Sequence, residues 1–484
     1  MSRSVLFLQF GTDADAAIRS RVAYAFRVFA AIYGYSVAES AEAAELCCVY
    51  GDGAATHPNK GVLRIPARYR PRPKSAGMPT LERFRYANED LYLVHGVDEA
   101  TGNPDWLGEI FEWLSSSLEL PNPGRDAVGR IPYSKTVFAR QGLSPLKPHA
   151  ALLMAWMENV LENGGGAESL PKAVSPVAGI EHAVVCSHDI DFYFTSRAAA
   201  LQRLGKNLGI SLTHYRSASY FTANSRMILG LLRGKRPGDY LPQMLSAIED
   251  CGFRSTLFAV ADGEHRRDPI YRLGQVAPQL RSAARRGFPV GVHGSYSSVI
   301  EKGSLRQEAA ALEQAVGRRP LGSRQHWLRF DRHDKLFHAI ERAGLAYDSS
   351  LGFAETCGFR NGASFAFPPY DFAKEEPCSF LEIPLVIMDG SLEAMSRNRR
   401  QGSQELADAV LGESRKWGWG GIGILWHNPM EAIQVPDKVN HVFWECAKKR
   451  KRYAEQWMSA EEFVAASLGR YQAAGLLKRI RLDA

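Results

Sequence analysis

From about residue 173 onward the chain alternates between short β-rich runs and helical stretches, and no other feature limits its fold as strongly. The runs are HAVVCS (182–187), RSTLFAV (254–260), FPVGVH (288–293), LGSRQHW (321–327), LAYDSSL (345–351), SFLEIPLVIM (379–388) and GIGILWH (421–427). Apolar residues at helical spacing fill several of the gaps, in DYLPQMLSAIEDCG, GQVAPQLRSAARRG, SLRQEAAALEQAVG, HDKLFHAIERAG and SQELADAVLGESRKW. Most of these close on the glycine that commonly follows a helix C-terminus. Strand, helix, strand with right-handed crossovers implies parallel strands. Seven of them can close as a barrel or lie open as a doubly wound sheet.

The polar residues favour the barrel, because in a parallel α/β barrel functional groups gather on the loops that follow the strand C-termini. Asp189 and Asp191 follow the first run, His293 ends the third, Arg324 and His326 end the fourth, Asp348 ends the fifth and His427 ends the seventh. Taken singly, a buried strand-end carboxylate or imidazole is ordinarily a hydrogen-bonded structural group. Together they are types suited to metal binding and proton transfer, and one shared active site explains them all. In the stretch SHDIDF (187–192), one carboxylate of the Asp-x-Asp pair can bind a cation while the other acts as a base. A histidine on a neighbouring strand supplies the imidazole that zinc favours, and such a metal lowers the pKa of its water toward neutrality. His427, distant in sequence, is available as the acid for a leaving group. Metal-assisted hydrolysis is therefore the leading reaction class.

At 484 residues the chain has room for two or three domains. The first 172 residues read as a smaller mixed α/β domain: strand Val5 to Phe10, helix Ala14 to Tyr33, strand Leu46 to Tyr50, an Arg- and Pro-rich loop, then helical patterns in DWLGEIFEWLSSSLEL and HAALLMAWMENVLENGGG. The triple glycine and SLPKAVSPVAG read as the linker, so residues 1–172 and 173–484 are the expected units. Seven cysteines without a CxxC pair suggest reduced thiols of the cytosol. The opening MSRSVLFLQFG has too few apolar residues for a signal h-region, and no run approaches the roughly 18 needed to span a membrane. A formal charge of +7 is too mild, and no recognised module too evident, for a nucleic-acid binder. KKRKR (448–452), in a stretch read as helical with Trp444 and Trp457, is taken as a solvated helix face.

HDID, HGSYSS, SRQHW and ILWHN together resemble the motifs of the polysaccharide deacetylases of NodB homology, carbohydrate esterase family 4, over residues 175 to 440. RQHWLRFD, YDSSLGF, FRNGASFAFPPYD and LEIPLVIMD resemble, as a set, the subgroup whose first motif is HDxD, and GRIPYSKTVFARQGLSPLKPHAALLMAWMENVL resembles the accessory region ahead of it. The resemblance implies an α/β fold, a distorted (β/α)7 barrel preceded by the smaller domain. It implies Asp189 as general base, His427 as catalytic acid and Arg324 as the residue orienting the base. Asp191 and His293 match the family's metal ligands. The second histidine of that motif is Ser297 here, and serine is a poor zinc ligand. His326 stands where the family has proline and is the candidate replacement. His188 is expected to be a supporting hydrogen-bond partner.

The function implied is a zinc-dependent (or other divalent-metal) hydrolase that removes an N-acetyl or O-acetyl group from a saccharide. Two other readings compete: a saccharide-binding pseudo-deacetylase impaired by Ser297, and a hydrolase of a small non-peptide amide. Between Phe192 and Gly238 lie eight basic residues (Arg197, Arg203, Lys206, Arg216, Arg226, Arg233, Lys235, Arg236) and no acid. This insertion, 192–238, is expected to cover the site and to suit a lipid- or nucleotide-linked glycan or an anionic membrane. The expected location is cytoplasmic, peripheral to the inner membrane face.

Overall fold

The computed structural model describes residues 4–11, 14–54, 61–73, 76–86, 88–119, 124–164, 171–175, 179–191, 193, 196–213, 218–234, 240–261, 263–269, 271–300, 304–330, 332–427, 438–477 and 482. Arg216, Lys235 and Arg236 of the basic insertion, and most of the expected linker, lie outside them.

The first part of the chain forms a four-stranded parallel sheet from β1 (Val5–Phe10), β2 (Ser36–Val37), β3 (Leu46–Tyr50) and β4 (Gly61–Ile65), in the order β2-β1-β3-β4. Helix α1 (Ala16–Tyr33) starts later than Ala14 because Asp15 caps it, accepting from the Ile18 N–H at 2.8 Å. A hairpin, β5 (Glu82–Tyr86) and β6 (Glu89–Leu93), precedes α2 (Trp106–Leu114), α3 (Val137–Arg140) and α4 (His149–Asn163). The pattern in DWLGEIFEWLSSSLEL stops at Leu114, where Ser116 turns to φ +60°.

The second part is the expected barrel. Its strands are β7 (His182–Asp189), β8 (Thr256–Ala259), β9 (Val290–Gly294), β10 (Gly322–Gln325), β11 (Tyr347–Asp348), β14 (Leu381–Glu382), β15 (Leu385–Met388) and β16 (Gly420–Leu425), with a small side hairpin of β12 (Tyr370–Asp371) and β13 (Glu376–Pro377). Their order is β14-β11-β10-β9-β8-β7-β16-β15, all parallel. The two ends of this path are consecutive in sequence. The run SFLEIPLVIM is one strand divided at Ile383-Pro384: its first half pairs with β11 and its second with β16, so seven sequence runs curl into a ring. Proline has no N–H to donate, which suits the point where the strand changes neighbours.

The N-terminal strands β2, β4, β5 and β6 were not expected from the sequence, and neither was one strand of the barrel sheet. β17 (Glu455–Met458) carries Trp457, so that residue is not helical; it pairs with the first half of β7 while β8 pairs with the second half. Two amphipathic helices cross from β7 toward β8, α5 (Arg197–Thr213) and α6 (Ala218–Leu232), followed by α7 (Tyr240–Asp250). Around the ring then come α8 (Leu273–Arg285), α9 (Ser304–Val316), α10 (His333–Ala343), α11 (Asp389–Arg399), α12 (Ser403–Trp417), α13 (Lys438–Lys449) and α14 (Ala460–Ala473).

β7 is buried along its whole length, as a strand covered on both faces must be. Its alternate residues join different cores: Val184 and Cys186 pack beneath the outer helices, while Ala183 and Val185 join a core that continues into α1, α2 and α4 through Tyr24, Phe111 and Trp156. The apolar core is thus continuous across residue 172.

Candidate metal centre and acid-base site

Because all barrel strands run the same way, their C-terminal ends share one face, and register sets which residues meet there. His293 aligns with Arg324 across β9 and β10, Ser187 with Leu425 across β7 and β16, and Met388 with Leu425 across β15 and β16. Asp189, Asp191, His293, Arg324, His326 and His427 all reach this face. Asp348 does not join them. It is fully buried, bonded to Ser323 Oγ at 2.6 Å and the Ser350 N–H at 2.9 Å, and its charge and Glu382's are both suppressed by burial.

Asp191, His293 and His326 place one ligand atom each within 4.8 Å of one another. The pairwise distances are 3.3 Å (His293 Nε2 to Asp191 Oδ1), 3.5 Å (His326 Nδ1 to Asp191 Oδ1) and 3.0 Å (His293 Nε2 to His326 Nδ1). A tetrahedral zinc site with bonds near 2.0–2.1 Å has ligand-ligand edges of roughly 3.3–3.4 Å.

The outer atoms of the two rings explain their inner ones. His293 Nδ1 lies 2.9 Å from the Arg324 carbonyl, and His326 Nε2 lies 2.9 Å from the Arg267 carbonyl. Each outer nitrogen must donate, so each inner nitrogen of a neutral ring is left as an acceptor. Two lone pairs then face a carboxylate oxygen, Asp191 Oδ1, which is buried and accepts no hydrogen bond. Three converging acceptors require a proton or a cation between them, and carbonyl-anchored imidazoles are the usual support of metal ligands. The residues fit a divalent metal.

Electrostatics agree. Burial pushes the Asp191 carboxyl up, but His326, His293 and His427 outweigh it and hold it far below the usual range. Burial lowers His293 as well, yet Asp189 and Asp191 raise it overall; for His326 burial prevails and its pKa falls.

Asp189 sits beside this group, with Oδ2 3.5 Å from His293 Nε2. Its Oδ1 accepts from Arg324 Nη1 at 3.0 Å. Arg324 is itself buried and bound on every side: Nη1 donates to Ser187 Oγ (2.7 Å), Nη2 to Ser349 Oγ (2.9 Å) and Nε to the Ser349 carbonyl (3.0 Å), and its plane lies 4.6 Å from the Phe258 ring centroid. A guanidinium so fixed sets the orientation of the carboxylate it touches.

His427 also borders the group, with Nε2 3.6 Å from Asp191 Oδ2. Its Nδ1 donates to Asp389 Oδ1 at 2.8 Å and its backbone N–H to Asp389 Oδ2 at 2.9 Å. Burial works against a charged ring, but Asp389 overcomes it and pushes the His427 pKa up to about 10. Asp389 was missed in sequence, although it directly follows β15 and so occupies the same strand-end position as the others. His188 is neutral and structural in its contact: burial lowers it to about 4, and Nδ1 lies 2.9 Å from the Trp426 carbonyl.

Next to His326, Trp327 adopts φ +64° and Leu328 φ +51°, rare for side-chain-bearing residues. Trp327 is 45% exposed, and its Nε1 donates to the Arg267 carbonyl at 3.1 Å. The turn holds an open indole at the rim of the site. The basic helices α5 and α6 form a small apolar cluster of their own from Ala200, Leu204 and Leu231. Lys448 and Lys449 of KKRKR pair with Glu445 (3.0 Å) and Asp408 (2.8 Å), as a solvated helix face would.

No family profile matches the chain, and no curated protein matches it. Among solved structures it is similar to a presumptive polysaccharide deacetylase from Mycobacterium smegmatis, with 16% identity and a TM-score of 0.38 over 65% of this chain and 98% of that one. It is similar to the peptidoglycan deacetylase PdaC from Bacillus subtilis, with 11% identity and a TM-score of 0.31 over 61% and 95%. It is also similar to BA3943, a CE4 family pseudoenzyme from Bacillus anthracis, with 10% identity and a TM-score of 0.30 over 64% and 80%.

Proposed function

We infer that the chain is a divalent-metal hydrolase that removes an acetyl group from the nitrogen or oxygen of a saccharide. One observation carries the reading. Asp191, His293 and His326 converge as acceptors without a donor, between a carboxylate fixed by a buried arginine and an imidazole fixed by a buried aspartate. The deacetylase character rests further on the HDID, SRQHW and ILWHN motifs in which these residues occur.

Asp191, His293 and His326 would hold the metal, which supplies Lewis-acid polarisation of an acyl carbonyl and lowers the pKa of water. Asp189 has one oxygen committed to Arg324 and the other turned toward the metal ligands, where it can take a proton from the attacking water. His427 has its inner nitrogen near Asp191 and its outer nitrogen on Asp389, and it can return a proton to the leaving nitrogen or oxygen. Trp327 offers an apolar face against which a sugar ring can lie.

The competing pseudo-deacetylase reading rests on Ser297, and His326, which offers a third ligand atom beside Asp191 and His293, speaks for the hydrolase instead. A finer reading concerns the carrier. On α5 and α6, Arg197, Lys206, Arg226 and Arg233 are exposed together with Leu212, Leu229 and Leu232, which suits peripheral contact with an anionic inner membrane face bearing lipid-linked glycan. Co-sedimentation with vesicles containing anionic lipid checks this, and no difference from neutral vesicles would count against it.

The function is tested with zinc-loaded protein and a panel of N- and O-acetylated glycans. Acetate release is expected from the intact chain. Asp189→Asn should keep its metal by elemental analysis and lose turnover by about 10²-fold or more, whereas His326→Ala should lose metal. Full turnover by Asp189→Asn would reject the assignment.

A further inference from the structure

The N-terminal sheet has a ligand site of its own. From β1 the chain passes through α1 to β2 on one side, then returns to place β3 and β4 on the other. The strand order therefore reverses between β1 and β3. In open parallel sheets, the loops beyond the carboxyl ends of the strands diverge at such a point and leave a crevice where ligands bind. Here the crevice measures about 540 Å³, within the range of small-molecule sites. Glycines directly follow both strands. The Gly11 N–H donates to the Tyr50 carbonyl at 2.8 Å, and Gly51 turns at φ +82°. A Cβ on Gly11 would lie 2.2 Å from the Asp52 carbonyl oxygen, so any side chain there would force the two loops apart.

The lining chemistry is cationic above an apolar floor. Arg64, Arg68 and Arg70 face Asp52 and Asp98, leaving a net positive charge, and Ile18 and Ile65 lie below. None of the three arginines forms an ion pair with a described carboxylate. Each donates to backbone carbonyls: Arg64 to Gly53 (2.7 Å), Arg68 to His95 (3.1 Å), Arg70 to Ala67 (3.1 Å) and Tyr69 (2.8 Å). A guanidinium has five donors, so each retains several. Asp98 is already engaged by the Thr101 N–H and hydroxyl, both at 2.9 Å, which makes it a poor cation ligand.

The arginine-bearing loop is held from beneath. Asp105 is fully buried and accepts from the N–H groups of Arg68 (3.0 Å) and Tyr69 (2.7 Å) and from the Tyr50 hydroxyl, while its other oxygen caps α2 at the Gly108 N–H (2.8 Å). A buried carboxylate spent on fixing an exposed, basic loop is an arrangement suited to binding by preorganised donors.

We propose that this crevice binds a phosphorylated small molecule of mononucleotide size, its phosphate on Arg64, Arg68 and Arg70 and its remaining part over Ile18 and Ile65. Guanidinium forks pair with phosphate oxygens in bidentate fashion, and the volume exceeds what phosphate alone would fill. The site is separate from the barrel centre, so its occupancy is independent of the metal.

Titration calorimetry of the full chain with UMP, ADP and inorganic phosphate tests the proposal. At least one nucleotide should bind saturably in the micromolar range, with inorganic phosphate at least about ten-fold weaker. Arg68→Ala/Arg70→Ala should weaken nucleotide binding by about ten-fold or more, with melting temperature and zinc content unchanged; Arg64→Ala, on β4 itself, should weaken it in the same direction. No saturable binding of either nucleotide by 1 mM, equal binding of inorganic phosphate, or full binding by both variants would each overturn it.

Discussion

At the scale of single residues, the proposed hydrolase would divide its site into groups that touch the chemistry and groups that aim them. On that proposal Arg324 is of the second kind. Its contacts to Ser187, Asp189 and Ser349 use the planar fork, and a lysine has neither the shape nor the number of donors to keep them. Arg324→Lys should therefore retain metal but lower kcat by about 10²-fold with little change in KM, and unchanged kcat in a steady-state assay would refute the aiming role. Asp389 aims His427 in the same way, and Asp389→Asn should depress kcat while leaving zinc content intact. How legible these residues are in sequence follows from where they lie. Asp189, His293 and His427 end apolar runs, where a charge needs a reason, and so they stand out. Asp389 also follows such a run, but an aspartate there reads equally as the start of the next helix. Ser187 and Ser349 give no signal, because a serine becomes informative only when its partner across the barrel is known.

At the scale of elements, hydrophobic periodicity exposed the barrel strands and the helices between them, because parallel strands buried on both faces are continuous apolar runs. It could not show that SFLEIPLVIM changes partners at Pro384, since pairing is a property of neighbours rather than of the segment. Nor could it separate β17 from its helical surroundings: EQWM has four residues and alternates poorly, and only its place beside the first half of β7 makes it a strand. The turn His326–Leu328 is a further case, with two successive residues at positive φ that no residue preference would suggest. Backbone strain of this kind costs on the order of 1–3 kcal/mol per residue. It persists here where a ligand-type histidine and an exposed indole must be presented side by side. Trp327→Gly should relieve part of it, so the unfolding midpoint should hold steady or rise while KM for an acetylated glycan increases. A lower midpoint with unchanged KM would show that the turn serves packing instead of substrate.

At the scale of the whole molecule, the barrel and the N-terminal region are bound by more than a linker. Their common core joins Tyr24, Phe111 and Trp156 to Ala183, Val185 and Phe367, and the backbones bond directly, Ala151 N–H to Gly362 O at 3.1 Å and Phe359 N–H to Pro145 O at 2.8 Å. Residues 173–484 expressed alone should accordingly fail to give a cooperative unfolding transition, as monitored by circular dichroism. A buried polar link across this boundary is Glu119 with Arg360. Arg360 Nε and Nη2 donate to the two carboxylate oxygens at 2.9 and 2.7 Å, and His333 Nε2 lies 3.2 Å away. Burial pushes the Glu119 pKa up, but Arg360 and His333 prevail and bring it down to about 2, from an ordinary 4.5. A carboxylate depressed in the folded state stabilises it above its unfolded pKa, and that contribution is lost as pH falls through about 4.5 toward 2. Its full size is about 3 kcal/mol, from 1.36 kcal/mol per pKa unit. Glu119→Gln removes the titration and leaves Arg360 buried without its counter-charge, so the variant should be markedly less stable at pH 7. The gap between wild type and variant in urea unfolding should then hold nearly level from pH 6 to about pH 5 and narrow from there to pH 3.5, because only the wild type loses this carboxylate. A gap that stays constant over that range would mean that Glu119 acts by packing, and that its charge does not hold the two regions together.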